Sequence, residues 1–342
     1  MADLLIFTAK RLALAIVTLW GLATIVFLMI KAIPGDEARV AAGRGASPEL
    51  VEQVRHRLGL DSSLGTQYFR YLDRLVHGDL GTSIATLRPI RQDLSAVLPS
   101  TVELVLAAMV INLVVGIAIG VVAASWRDRT PDFVSRLLAV MWGGMPIFWV
   151  GVMLHYLLGT KFGLVPSTGQ LSFGVDVPTR TGAVTIDALL AGDLHAFGDA
   201  LYHLVLPAAI MAAPFCAVTM RTVRSAMLSQ LEQEYILVVI AKGASRSRVL
   251  LGHALRNALV PSLTIVGLQF GWMVGGTVLV EAIFTRQGIG SYIGSAVTQK
   301  DSFAVLGGVL FIGGVVIIAS LVVDLLQMVL DPRVRAAEGS AA

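Results

Sequence analysis

The chain has 342 residues, 56% of them hydrophobic and only 14% charged, with a formal net charge of +3. Soluble domains carry about 25% charged residues, so this composition, with its mean hydropathy of +0.78, excludes an ordinary soluble fold. The pI of 9.2 reflects anchoring at an anionic leaflet rather than nucleic-acid binding.

Charge-free apolar runs cover residues 12–30, 104–126, 137–160, 200–220, 257–280 and 302–323. About 20 residues cross the hydrocarbon core as a helix, and runs this continuous lack the alternation of a membrane β-barrel. The expectation is an all-α integral membrane protein with six transmembrane helices. Lys10 and Arg11 precede the first run as they would in a signal peptide. That run exceeds the usual signal core and no A-x-A-like site follows, so it reads as an uncleaved anchor. Residues 1–32 are therefore the N-terminal cytoplasmic end and first span.

Residues 33–98 form an external segment that opens on an IPGDEA turn. SPELVEQVRHRLGL predicts a helix with Ser47 as N-cap, Pro48 at its first position, Glu49 and Glu52 early, and Gly59 closing it. Leu50, Val54 and Leu58 would share one face. A second helix follows, with Leu64, Tyr68, Leu72, Leu75 and Val76 near one face and His77–Gly78 at its end. Neither stripe can make a core alone, so the segment should fold onto the membrane helices. Residues 99–342 are the core of five further spans.

Within the spans, Gly116/Gly120 and Gly267/Gly271/Gly275 make G-x-x-x-G steps that let another backbone approach. Helix packing is the simple reading; a moving interface along the fifth span is the sharper one. Cys216 reads as a small packing residue. Glu103, Glu281 and Asp324 lie at span edges, where a carboxylate is expected to reach water. Loop 161–199 reads as irregular with one short amphipathic piece. Should the spans enclose a pathway, its candidate side chains, by polarity or bulk alone, are Asn112, Phe148, Gln269, Trp272 and Met273.

Orientation follows from Lys/Arg in the short loops. With the N-terminus inside, the inner segments hold thirteen and the short outer loops four. Both termini are expected in the cytoplasm of a multi-pass cell-membrane protein.

Six Lys/Arg then stand between Arg221 and Arg256, around EQEYILVVIAKGASRSRVLLGHALRN. Gly243 stops one helix in the C-cap manner, and Ser245 can cap a second that re-enters the membrane. Residues 229–256 thus predict a helix–turn–helix elbow with Glu232, Glu234, Lys242, Arg246, Arg248 and Arg256 on its rim. Leu231, Tyr235, Val239, Val249 and Leu250 are the expected apolar knobs. A glycine-hinged elbow with apolar knobs and a mixed-charge rim fits a protein docking surface.

This stretch resembles the cytoplasmic loop of ATP-binding-cassette importer permeases, in the first-permease subfamily of dipeptide and oligopeptide transporters. Glu234–Tyr235–Ile236, Ala241–Lys242–Gly243, RVLL at 248–251 and HALRNALVP at 253–261 carry the likeness. PGD, LGLD, GDLG, RPI, PSTVEL, MPIFW, FGLVPSTG, LQFG, GTVLVEAIF, GIG and LDPRVR follow the family order along nearly the whole chain. The chain departs from the pattern on the outer face, with TRQG near residue 286 and KDSF at 300–303.

The resemblance implies the type I importer permease fold and a pathway for di- or oligopeptides, completed by a second, homologous permease. It further implies one or two partner ATPases and an extracellular or periplasmic solute-binding protein. Glu234, Tyr235, Ala241, Lys242, Gly243, Arg248, His253 and Arg256 would couple to the ATPase, with Tyr235 as the central knob. It also sets the direction as import. Nickel chelates, glutathione or haem are alternative cargoes in that class.

The chain is not expected to be an enzyme. It holds no G-x(4)-G-K-[ST] phosphate loop and no Cys/His cluster at metal spacing. No catalytic residue, metal site or cofactor is expected on it; ATP and magnesium belong to the partners. An ion-coupled secondary carrier needs ionisable groups near the midplane, and only His155 offers one. A lone membrane histidine is more often packed and hydrogen-bonded. A membrane protease would have only Ser262 and His155, without a motif.

Overall fold

The computed structural model describes residues 2–32, 36–43 and 45–330. Pro34, the side chains of Leu58, Pro261 and Asp324, and the 331–335 part of LDPRVR lie outside the described residues or side chains.

Thirteen α-helices are described: α1 (Ala2–Ala32), α2 (Glu37–Ala42), α3 (Pro48–Leu58), α4 (Leu64–Val76), α5 (Ile90–Ser125), α6 (Thr130–Gly144), α7 (Ile147–Leu154), α8 (Val184–Ala191), α9 (Leu194–Leu231), α10 (Glu234–Ala241), α11 (Arg256–Ile283), α12 (Ile289–Thr298) and α13 (Ser302–Leu330). Five are long and apolar enough to span a membrane. The third expected span is broken: α6 and α7 meet at 101°. Pro146 supplies no N–H to continue the helix, and Met145 before it is extended, at φ −89° and ψ 135°. A π-helical turn, His155–Lys161, ends that span.

The outer segment forms the two expected helices. Ser47 Oγ accepts the Leu50 N–H, Pro48 opens α3, and Gly59 closes it at φ +65°. The buried face of α3 is Val51 and Val54, and Leu50 is exposed. The helix phase, not the four-residue count, decides this: Val51 and Val54 lie three apart on the face turned inward. α4 lies against α1. Tyr68 Oη and Thr24 Oγ1 are 2.7 Å apart, the Phe27 and Tyr68 rings meet edge-on at 5.2 Å, and Lys31 Nζ donates to Gln67 Oε1 at 2.5 Å. The helix that carries the second apolar run starts at Ile90, so its first turns belong to the segment expected outside the membrane.

α9 is the central helix and packs on α5, α6 and α11; α13 packs on α1, α11 and α12. The α5–α9 crossing is set by Gly116 and Gly120. A Cβ at Gly116 would stand 2.9 Å from Thr219 Cβ, and one at Gly120 2.9 Å from Val223 Cβ. The fifth-span row behaves differently. A Cβ at Gly271 meets Val316 Cγ1 at 3.1 Å, while Gly275 faces open space. Cys216 is half-buried in the cluster around Met211 and Met273.

At the end of the bundle opposite the 229–256 segment, the expectation that Glu103 and Glu281 reach water is corrected: both are buried, and so is Arg286. Glu103 pairs with the Arg286 guanidinium and accepts the Thr185 N–H at 2.8 Å. Glu281 Oε1 accepts from the Thr101 hydroxyl at 2.7 Å, and Oε2 from the Ser291 N–H at 3.1 Å. Thr101 Oγ1 in turn accepts the Ile289 N–H at 2.8 Å. Side chains at Gly288 or Gly290 would overlap Glu281 or the Val278 backbone. The chain turns back at 284–288 and folds over the carboxylates, which is why span edges read as wet in one dimension are dry in three. Asp301, likewise buried, accepts from Ser83 Oγ at 2.7 Å and the Ile84 N–H at 2.7 Å, pinning the outer loop to the start of α13.

Two outcomes follow. Gly120→Ala should lower stability by about 1–3 kcal/mol through overpacking, whereas Gly275→Ala should cost nothing; thermal unfolding of the detergent-solubilised protein reads both. Arg286→Ala strands a buried carboxylate and should cost about 3–5 kcal/mol. The double variant E103Q/R286M should recover part of that loss in the same measurement.

Candidate functional site

α9 ends at Leu231 because Gln233 adopts an extended conformation (φ −78°, ψ 146°), so the long helix expected through 232–243 is interrupted. α10 then ends in two bonds that reach back across Gly243. The Gly243 N–H donates to the Ile240 carbonyl at 2.9 Å and the Ala244 N–H to the Val239 carbonyl at 3.3 Å. This is the Schellman pattern, and Gly243 holds its left-handed φ of +80°. Ser245 Oγ lies 3.3 Å from Ser247 Oγ, and its carbonyl accepts the Val249 N–H at 3.0 Å. A π-helical turn, Arg248–Leu255, then runs directly into α11. The expected elbow is present, with a π turn as its returning arm.

The elbow is braced to the bundle. Ile236, Val249 and Ala254 are buried, and Val249 lies in the arm that leads into α11. Ala254 belongs to a cluster with Val223, Met227, Ala258 and Ala124. Arg246 Nη2 donates to the Ser125 carbonyl at 2.6 Å, and its guanidinium lies 5.7 Å from the Trp126 ring. Arg127 pairs with Glu232 at 2.9 Å. One level deeper, Arg224 makes a two-pronged pair with Asp132 at 2.6 and 2.7 Å, fastening α6 to α9.

The knobs are corrected by this bracing. Leu231, Tyr235, Val239 and Leu250 are only half-exposed and Val249 is buried. Tyr235 Oη donates to Gln230 Oε1 at 3.0 Å and accepts from Asn257 Nδ2 at 3.0 Å, so it latches α10 to α9 and α11. The apolar side chains that do protrude are Leu237, Val238, Ile240 and Leu251, between 53% and 68% exposed. Burial of Ile236 on the short α10 turns its neighbours Leu237 and Val238 outward. Glu234, Ala241, Lys242, Gly243, Arg248 and Arg256 are exposed around them, and His253 is half-buried.

Of the pathway candidates, three come together and two do not. Asn112, Gln269 and Met273 are buried where α5, α9 and α11 meet. Asn112 Nδ2 donates to Gln269 Oε1 at 2.6 Å, and Thr219 Oγ1 donates to Asn112 Oδ1 at 2.9 Å. Thr219 is the member that sequence reasoning missed; its place four residues before Val223 on the face meeting Gly116 and Gly120 was the available signal. Phe148 and Trp272 are exposed on the outside of this chain, Trp272 at 74%. The triad is neutral.

His155 is a packed residue: its Nε2 lies 2.6 Å from the Ser167 carbonyl and its ring meets Phe284 edge-on at 5.2 Å. Ser262 donates to the Ala258 carbonyl at 2.9 Å. The two do not pair, so they make no nucleophile–base couple.

Two family models together cover most of the chain. Residues 116–336 match that of the binding-protein-dependent transport system inner membrane component, and residues 4–105 match the N-terminal part of such membrane components. The chain is 39% identical over 315 residues to the probable D,D-dipeptide transport system permease protein DdpB of Escherichia coli, covering 92% of this chain and 93% of that one. It is 39% identical over 333 residues to the di/tripeptide transport system permease protein DppB of Pseudomonas aeruginosa, covering 97% and 99%. The glutathione transport system permease protein GsiC of Salmonella paratyphi A is 32% identical over 329 residues, with 96% and 98% covered. On this evidence the chain belongs to the family of binding-protein-dependent transport system inner membrane components, and it is a permease subunit of that class.

Proposed function

We propose that this permease carries small peptides inward and is driven through its elbow by a partner ATPase. The observation that carries the coupling half is the elbow itself. A Schellman turn and a brace to Ser125 and Trp126 hold Leu237, Val238, Ile240 and Leu251 out from the bundle inside a rim of Glu234, Lys242 and Arg248. Protruding apolar anchors ringed by charge match the anatomy of a protein interface, where the rim tunes register more than affinity. Closure of the ATPase pair, with ATP and magnesium bound on those chains, would push the elbow. Because α9 enters the elbow and α11 leaves it, both helices would shift. The elbow and both termini would lie in the cytoplasm, consistent with the Lys/Arg distribution.

The substrate reading rests on relatives named for dipeptides and di/tripeptides and on the neutral triad. Asn112 and Gln269 offer the donors and acceptors that a peptide unit offers. In this conformation they satisfy each other; with α9 and α11 apart, a peptide could take their place. Exposed Phe148 and Trp272 suit a wall shared with a second permease. An extracellular solute-binding protein would deliver the cargo.

The test is reconstitution in proteoliposomes with the partner permease, ATPases and binding protein. Replacing Leu237 and Val238 together by Ser should cut peptide-stimulated ATP hydrolysis and uptake at least about tenfold, as loss of a buried interface anchor does. Binding-protein affinity for peptide should not change. Unaltered uptake in that double variant would exclude the elbow as the docking site.

A further inference from the structure

A cavity of 1490 Å³ opens at the end of the bundle opposite the elbow, between the outer end of α1, α4 and the start of α13. Its walls carry five Lys/Arg against two Asp. Arg57, Arg74 and Lys300 are exposed residues of its lining, and their side chains have no hydrogen-bond or ion-pair partner among the described residues. Neither carboxylate forms an ion pair with these three cations among the described residues. Asp79 accepts the Gly81 N–H at 2.9 Å, and Asp73 lies 3.7 Å from the His77 ring. The Tyr71 hydroxyl, on the same wall, is buried without a hydrogen-bond partner.

The floor is of the opposite kind. Phe27 and Ile30 belong to the last turns of the α1 span, and Phe303 to the first turn of the α13 span. The cavity is therefore lined both by the ends of two candidate spans and by cations, as a site at the boundary between hydrocarbon and headgroups would be. Its volume exceeds the roughly 300–1,000 Å³ of an ordinary small-molecule pocket. Like charges that line one space repel, and an anion among them relieves that repulsion. An amphiphile whose charge lies at the headgroup level meets both requirements.

We propose that this cavity is a binding site for an anionic phospholipid of the outer leaflet. The phosphate sits among Arg57, Arg74 and Lys300, and the glycerol and upper acyl chains lie on Phe27, Ile30 and Phe303. The lipid thereby cements the outer helices α3 and α4 to the spans α1 and α13. The site is separate from the elbow and from the Asn112 triad, so it does not rest on the transport reading.

The experiment is native mass spectrometry of the full chain purified in mild detergent, followed by thermal unfolding with added phosphatidylglycerol, phosphatidylcholine or inorganic phosphate. The expected result is one retained anionic phospholipid and a rise in unfolding temperature with phosphatidylglycerol only. The triple variant R57Q/R74Q/K300Q should bind it about a hundredfold more weakly, at about fivefold for each cation near a headgroup. The variant R57K/R74K keeps the charge and serves as the folding control; it should retain the lipid. Equal stabilisation by phosphatidylcholine, equal stabilisation by inorganic phosphate, or unchanged lipid retention in the triple variant would each overturn the proposal.

Discussion

Three ionisable side chains, Glu103, Glu281 and Arg286, are held out of water at the end of this permease opposite the elbow. A buried charge is tolerated only when it is paired and its remaining lone pairs are used. The architecture around them follows from that demand. α8 supplies Thr185 to Glu103, α5 supplies Thr101 to Glu281, and the start of α12 supplies the Ser291 N–H. Gly288 and Gly290 lack side chains because the carboxylate and the Val278 backbone occupy the space. Four separate stretches of chain are thus fixed to one another by groups that have nowhere else to bond.

The same economy repeats at two further depths along α5. Midway, Asn112 bonds to Gln269 of α11 and accepts from Thr219 of α9. At the inner end, the Ser125 carbonyl and Trp126 ring receive Arg246 of the elbow. The levels differ in kind. The first is ionic and buried, the middle is neutral, and the inner combines Arg246 on the end of α5 with the Arg127–Glu232 and Arg224–Asp132 pairs. α9 and α11 share the middle triad with α5.

Much of this was legible in the residues. Long charge-free runs mark the spans because the bilayer demands about 20 apolar residues from each, and Ser47–Pro48 and Gly59 mark α3 because caps are local chemistry. Gly243 marked the elbow for the same reason. What depends on folding back was not legible. Glu103 and Glu281 sit at the ends of apolar runs, and only the turn at Arg286 removes them from water. TRQG read as an outer-face departure, yet its arginine is the counter-charge of that brace. Tyr235 read as a protruding knob because aromatics often anchor interfaces; its hydroxyl instead finds Gln230 and Asn257, residues five and twenty-two positions away. The broken third span was signalled by Met145–Pro146, but its 101° angle is a property of packing.

The central claim is that this chain works as one part of a larger machine, moved through its elbow. Its most direct test is affinity purification from the native membrane in mild detergent, with every co-purifying chain identified. The account predicts a second six-span permease, one or two phosphate-loop ATPases and a solute-binding protein, with a site-specific crosslink from an introduced cysteine at Leu237 landing on the ATPase. A chain that came out alone and still transported, with no crosslink from that position, would contradict it.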